Sequence, residues 1–210
     1  LIYNTTMVSE TPDSWSVMWD PKYSGEILTF NNSRDAFGVA QYLLGYDVNS
    51  TNTNEWRAAE EKLKEQKPLI QSYVMDEVFN KMEAGEAAMA PYYAGDYLTM
   101  KQENDDLAFV YPKEGTNKFV DVMCIPSSSE NKKAAELFIN YMCEPEVALH
   151  NANYLGYLCP VTAVLSDDRY EYKDNEVLYP KQEVKTQFFH NLDQDTLDLL
   201  SKLWEDLKLA

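Results

Sequence analysis

The apolar positions change period along the chain, and each change marks an element. Residues 1–8, LIYNTTMV, are β-branched and aromatic with no breaker, which reads as a strand. Asp13 or Ser14 then caps a short helix carrying Trp15, Met18 and Trp19 on one side. Residues 26–30 form a short buried strand, and Asn31-Asn32-Ser33 opens a helix whose apolar face is Phe37, Ala40, Leu43 and Leu44. Gly45 closes that helix as a left-handed cap. Residues 54–67 form a charged helix with Trp56, Ala59 and Leu63 inward, stopped by Pro68, and 69–74 read as a strand. A helix over 75–84, a strand over 86–91, a helix over 93–102 and a strand over 107–111 follow. This alternation predicts an α/β unit with a largely parallel sheet. Ligands of such sheets sit beyond the carboxyl ends of the strands. Asn31–Asp35 and Tyr92–Asp96 both lie at strand-to-helix junctions of that kind.

The second part of the chain is patterned less evenly. Residues 119–125 read as a strand, and alternation puts Phe119, Asp121 and Met123 on one face. Asn131 caps a helix with Ala134, Leu137, Phe138 and Tyr141 inward, and Pro145 opens another at its first turn. Residues 154–160 are an aromatic-rich loop, 166–192 are acidic, Tyr-rich and irregular, and 194–208 form a last amphipathic helix.

Charge changes the picture. With 18 basic and 35 acidic residues the chain carries −17, which disfavours nucleic acid and anionic membranes and concentrates cations. Three cysteines at irregular spacing suggest neither a disulfide framework nor a zinc site. Two histidines in unrelated contexts are too few for a His-based triad, so no cofactor or metal is expected. No apolar run is long enough to span a membrane. The chain enters a strand directly at Leu1, as though cut from within a longer protein, so the lack of a visible leader says little about location.

Asp121 is the principal candidate for ligand contact, because a carboxylate on an apolar strand is expensive unless a cation meets it. The alternative is an internal salt bridge. Asp35 is a second candidate, although Asn32 and Asp35 also have the spacing of a helix cap and its third position.

The ordered segments GEAAMAPYYAGDY, FVYPKEGTNKFVDVMCIP, KKAAELFINYMCEPEVA and NYLGYLCPV resemble the polyamine (spermidine/putrescine)-binding subunit of bacterial ABC transporters. SWSVMWDPKYSGEI and LTFNNSRDAF fit the same family. The resemblance implies a type II periplasmic-binding-protein-like α/β fold: one nearly complete lobe plus part of a second, joined by hinge strands. Residues 1–8 would be the first hinge strand, 9–106 the nearly complete lobe and 107–118 the second hinge crossing. Residues 119–192 would be the partial lobe and 193–210 a C-terminal helix, with the N-terminal segment of the family lacking.

The resemblance also implies a polyamine ligand, an ABC permease as partner and an extracytoplasmic location, by lipid anchor or permease fusion. Asp121 and Asp35 match family carboxylates. Phe119 and Tyr93 match aromatics that are usually Trp, and Tyr157 matches a Tyr near the pocket. Asn32 stands where the family has a second acid, which removes a charge. A polar residue near the C-terminus is expected at His190 or Asn191. Two other readings compete. One is a glycoside hydrolase using Asp35 and Asp121 across roughly 5–10 Å. The other is a non-binding interaction domain that self-associates through uncovered apolar edges.

Overall fold

A computed structural model describes residues 1–210. Its centre is a five-stranded sheet. In chain order the strands are β1 (Ile2–Asn4), β2 (Ile27–Phe30), β3 (Ile70–Val74), β4 (Met89–Ala90) and β5 (Leu107–Phe109), arranged β3-β2-β4-β1-β5. The crossovers are α1 (Ser33–Leu44) and α2 (Thr53–Gln66) before β3, α3 (Glu77–Glu83) before β4, and α4 (Ala94–Glu103) before β5. Strand β2 is parallel to β3 and β4, whereas β1 is antiparallel to both β4 and β5. The sheet is therefore parallel except for β1. Each helical crossover returns the chain in the same direction. Strand β1 precedes every crossover and slots in reversed, hydrogen-bonded on both sides.

Ile2, Ile27, Leu28, Met82 and Met89 are fully enclosed in the core around this sheet. The α1 boundaries follow its caps. The Asn32 side chain accepts from the Arg34 and Asp35 amides at 2.9 and 3.3 Å, and Gly45 ends the helix at φ 74°. A second core lies between α1, α2 and the last helix, Gln194–Leu209, where Leu200, Leu203 and Leu207 meet Phe37, Trp56 and Leu63. The Lys67 ammonium donates to the Leu207 and Lys208 carbonyls at 2.8 and 2.9 Å, satisfying groups that the helix end leaves open.

Two short strands leave this sheet body and return to it: β6 (Thr116–Lys118) and β7 (Thr186–Phe188), paired in parallel with Thr116 opposite Thr186. The sequence pattern over 166–192 reads as irregular, yet it contains β7. The strand there is made by its partner rather than by local pattern. The Trp15 indole donates to the Gly115 carbonyl at 2.8 Å, and Asn49 donates to the Phe188 carbonyl at 2.8 Å, so the ribbon is pinned to the body at both strands.

Between these strands lies a distal segment with α5 (Lys132–Met142), α6 (Pro145–Leu155) and α7 (Thr162–Leu165), which makes the Gln194–Leu209 helix α8. Ala148, Leu149, Ala152, Val164 and Tyr170 form a small core of their own. The strand expected over 119–125 is absent. A strand needs a ladder partner, and none lies beside this stretch. Helix α5 buries no residue, and Leu137, Phe138 and Tyr141 are exposed rather than inward. No helix is long and apolar enough to cross a membrane.

Candidate functional site

The carboxyl ends of β2 and β4 lie side by side because these strands are parallel neighbours. Each opens into a helix: Asn32 caps α1 and Tyr93 occupies the capping position of α4. This puts Asp35, in the first turn of α1, opposite Tyr93. The Tyr93 hydroxyl donates to Asp35 Oδ2 at 3.1 Å, and the Asn117 amide donates to Oδ1 at 3.4 Å. Asp35 is buried, and its carboxyl pKa is raised because desolvation outweighs the Tyr93 hydrogen bond and the nearby Arg34 charge. Burial and the Asp35 charge push the Tyr93 phenol up in turn.

A row of rings runs outward from there. Tyr93 sits between Phe30 at 5.6 Å and Phe119 at 5.4 Å, and Phe119 meets Tyr157 at 6.2 Å. Aromatic pairs favour such tilted and edge contacts. Phe30 and Tyr93 belong to the sheet body, whereas Phe119 and Tyr157 belong to the distal segment. Tyr92 lies beside Tyr93, 4.8 Å between ring centres, and stacks on Phe30 at 5.7 Å; it is buried, and its phenol is pushed up to about 12 by burial and the Asp96 and Asp76 charges.

The sequence candidates separate on this geometry. Asp35, Tyr93, Phe119 and Tyr157 are brought into one contiguous row. Asp121 stands beside it, close enough for its charge to act on the Tyr157 phenol. Its carboxylate is not enclosed on a strand face, as alternation suggested; it is exposed, because that strand does not form. No Lys or Arg pairs with it. Asn32 uses its side-chain oxygen as the α1 cap, and the reciprocal half of a capping box is missing because the Asp35 carboxylate turns to Tyr93 and Asn117. His190 is exposed and contributes backbone only: its N–H donates to Asn49 at 2.7 Å and its carbonyl accepts from Arg34 at 3.4 Å.

Sequence reasoning missed two neighbours. Asn117 lies on the ribbon and becomes relevant only when β6 passes Asp35. Asp96 is half-buried at the first turn of α4 and lies against the Tyr157 hydroxyl. Its position three residues after the Tyr93 cap was the available signal, since acids are favoured at helix N-termini. Two acids from the body and one from the distal segment thus border a strip of rings. Such a surface has acceptors for several separate positive charges and flat faces for the apolar stretches between them.

Residues 1–178 match the model of the bacterial extracellular solute-binding proteins. The chain is 32% identical over 171 residues to the spermidine/putrescine-binding periplasmic protein of Salmonella typhimurium, covering 81% of this chain and 49% of that protein. It is 25% identical over 212 residues to spermidine/putrescine-binding periplasmic protein 1 of Haemophilus influenzae, covering 100% and 59%. Among solved structures, a putative spermidine/putrescine ABC transporter from Listeria monocytogenes matches with a TM-score of 0.85 at 32% identity, covering 99% of this chain and 65% of that one. The spermidine/putrescine ABC transporter substrate-binding protein of Streptococcus pneumoniae matches with a TM-score of 0.85 at 30% identity over the same shares. The chain spans about half the length of the Salmonella relative. On these matches and this fold, the chain belongs to the bacterial extracellular solute-binding protein family.

Proposed function

We propose that this chain forms part of an extracytoplasmic binding protein that captures a polyamine such as spermidine or putrescine and presents it to an ABC permease. The sheet body is one lobe, the distal segment is part of the other, and the β6–β7 ribbon lies at the hinge. Ligand favours the closed arrangement by touching both sides, and no covalent chemistry is required. The observation that carries the reading is the ring row Tyr93–Phe119–Tyr157, flanked by the carboxylates of Asp35 and Asp121, with Asp121 unpaired by any internal base. An ammonium out of water needs a carboxylate, and each ring face adds roughly 0.5–2 kcal/mol. Micromolar affinity takes about 8 kcal/mol, so several of these contacts must act together. The net charge of −17 supports capture by drawing cations in. The likeness to spermidine/putrescine-binding periplasmic proteins supports the same ligand class.

Titration calorimetry of the full-length protein with spermidine and with putrescine tests this. Micromolar binding is expected for at least one amine. Asp121→Asn and Phe119→Ala should each weaken it about tenfold or more, the loss of one charge-assisted contact or one ring face. Absence of heat and of any melting shift with both amines would overturn the proposal.

A further inference from the structure

The contact between the distal segment and α4 is closer than ring stacking requires. Tyr157 follows Gly156, the left-handed cap of α6 at φ 68°. Its ring lies directly on the backbone of Gly95, in the first turn of α4. A Cβ at Gly95 would fall 2.2, 2.3 and 2.5 Å from Tyr157 Cε2, Cδ2 and Cζ, nearer than any side chain tolerates. A Cβ at Gly156 would lie 3.6 Å from the Gly95 carbonyl oxygen, so the two backbones also approach each other here. The next residue, Asp96, is near enough for its charge to act on the Tyr157 hydroxyl. Desolvation raises the Asp96 carboxyl while the Tyr157 contact holds it down, and Asp76 raises it further. The same ring then meets Phe119 and through it Tyr93. The Gly156 cap fixes the backbone just before Tyr157, and the Phe119 ring meets its side chain.

We propose that Gly95 is a positioning residue of the cleft: it forms a seat for Tyr157 that fastens the distal segment to the start of α4 and sets how far the cleft is closed before ligand arrives. That closure serves polyamine capture rests on the function proposed above; the seat itself does not. In a two-state cleft, a contact made only in the closed state raises the closed population, and the apparent affinity scales with that population. Glycine is needed at 95 because the ring occupies the space of a side chain.

The test is a double-mutant cycle on the full-length protein, read by small-angle scattering without ligand and by calorimetry with spermidine. Gly95→Ala should enlarge the ligand-free radius of gyration and weaken spermidine about tenfold. Alanine is the better helix former, so loss of the helix does not explain such a result, and circular dichroism checks it. Tyr157→Ala should produce a similar opening. The pair Gly95→Ala with Tyr157→Ala should be no more open than Tyr157→Ala alone, since the second change has nothing left to displace. Tyr157→Phe, which keeps the ring and removes the hydroxyl, should open the protein by less. Unchanged scattering in Gly95→Ala, or fully additive effects in the cycle, would refute the seat. If the unmutated protein binds no amine while the scattering cycle is non-additive, the seat stands and the polyamine assignment falls.

Discussion

Helices α1 and α5 carry the same kind of apolar stripe and meet different fates. In α1, Ala36, Phe37, Val39 and Ala40 are all buried, pressed between the sheet and the α2–α8 pair. In α5, Leu137, Phe138 and Tyr141 are exposed to 63%, 57% and 56%. The stretch before α5 behaves likewise, with Val120 and Val122 exposed to 68% and 73%. A period in the sequence says which face of an element is apolar; only a partner turns that face into stability. Within residues 1–210 the sheet body has partners for nearly every apolar face, and the distal segment does not.

The sharpest way to test this contrast is amide hydrogen exchange. Amides of β2 and α1 should exchange only through global opening, which for a stability of about 5 kcal/mol means protection of about a thousandfold or more. In a protein of residues 1–210 alone, amides of α5 should show almost none, because a helix of this length without a packing partner is marginal in water. Equal protection in α1 and α5 would show that the distal apolar face is covered in solution and would break the comparison.

Side-chain truncation probes the same difference at smaller scale. Phe37→Ala removes a fully enclosed ring that meets Trp56 at 5.9 Å and should destabilise by about 3–5 kcal/mol. In the same 210-residue protein, Phe138→Ala removes a ring that is more than half exposed and should change stability by less than about 0.5 kcal/mol. Urea denaturation followed by tryptophan fluorescence measures both. A large loss at Phe138 would mean that this face packs against something in solution.

Most of the body was legible in the sequence because its signals agree at every level. Gly45 at positive φ, Pro68 behind α2 and the Leu200/Leu203/Leu207 stripe each mark their element where the structure has it. What escaped was set by pairing rather than pattern. The reversal of β1 depends on which strands flank it, β7 exists only beside β6, and the expected strand at 119–125 has the right residues with nothing to pair to. The site shows the same division. Tyr93 and Asp35 were readable at their junctions. The Asn117 contact and the Tyr157 seat on Gly95 arise from segments far apart in sequence, which no local motif announces.

The smallest predicted effect compares two acids. Asp121 is exposed and Asp35 is buried, so replacing each by Asn should act differently on stability even where both weaken ligand. Asp121→Asn should be neutral within about 0.5 kcal/mol at any pH. For Asp35 the folded pKa lies above the ordinary carboxylate value because burial disfavours the charge. In the window between those values the folded chain holds more protons than the unfolded one, so stability falls as pH rises through it. Above the window the buried charge is held only by the Tyr93 hydroxyl, the Asn117 amide and the nearby Arg34 charge. An amide at 35 escapes that loss, and both neighbours can reverse their roles toward it, since a hydroxyl and a carboxamide accept as well as donate. Asp35→Asn should therefore match the unmutated chain in acid and exceed it at neutral pH, a gain in stability at the expense of function. Urea melts at several pH values measure the gap. A gap that fails to widen with rising pH would mean that Asp35 is stabilised as the anion by its neighbours, and the distinction between the two acids would then lie in exposure alone.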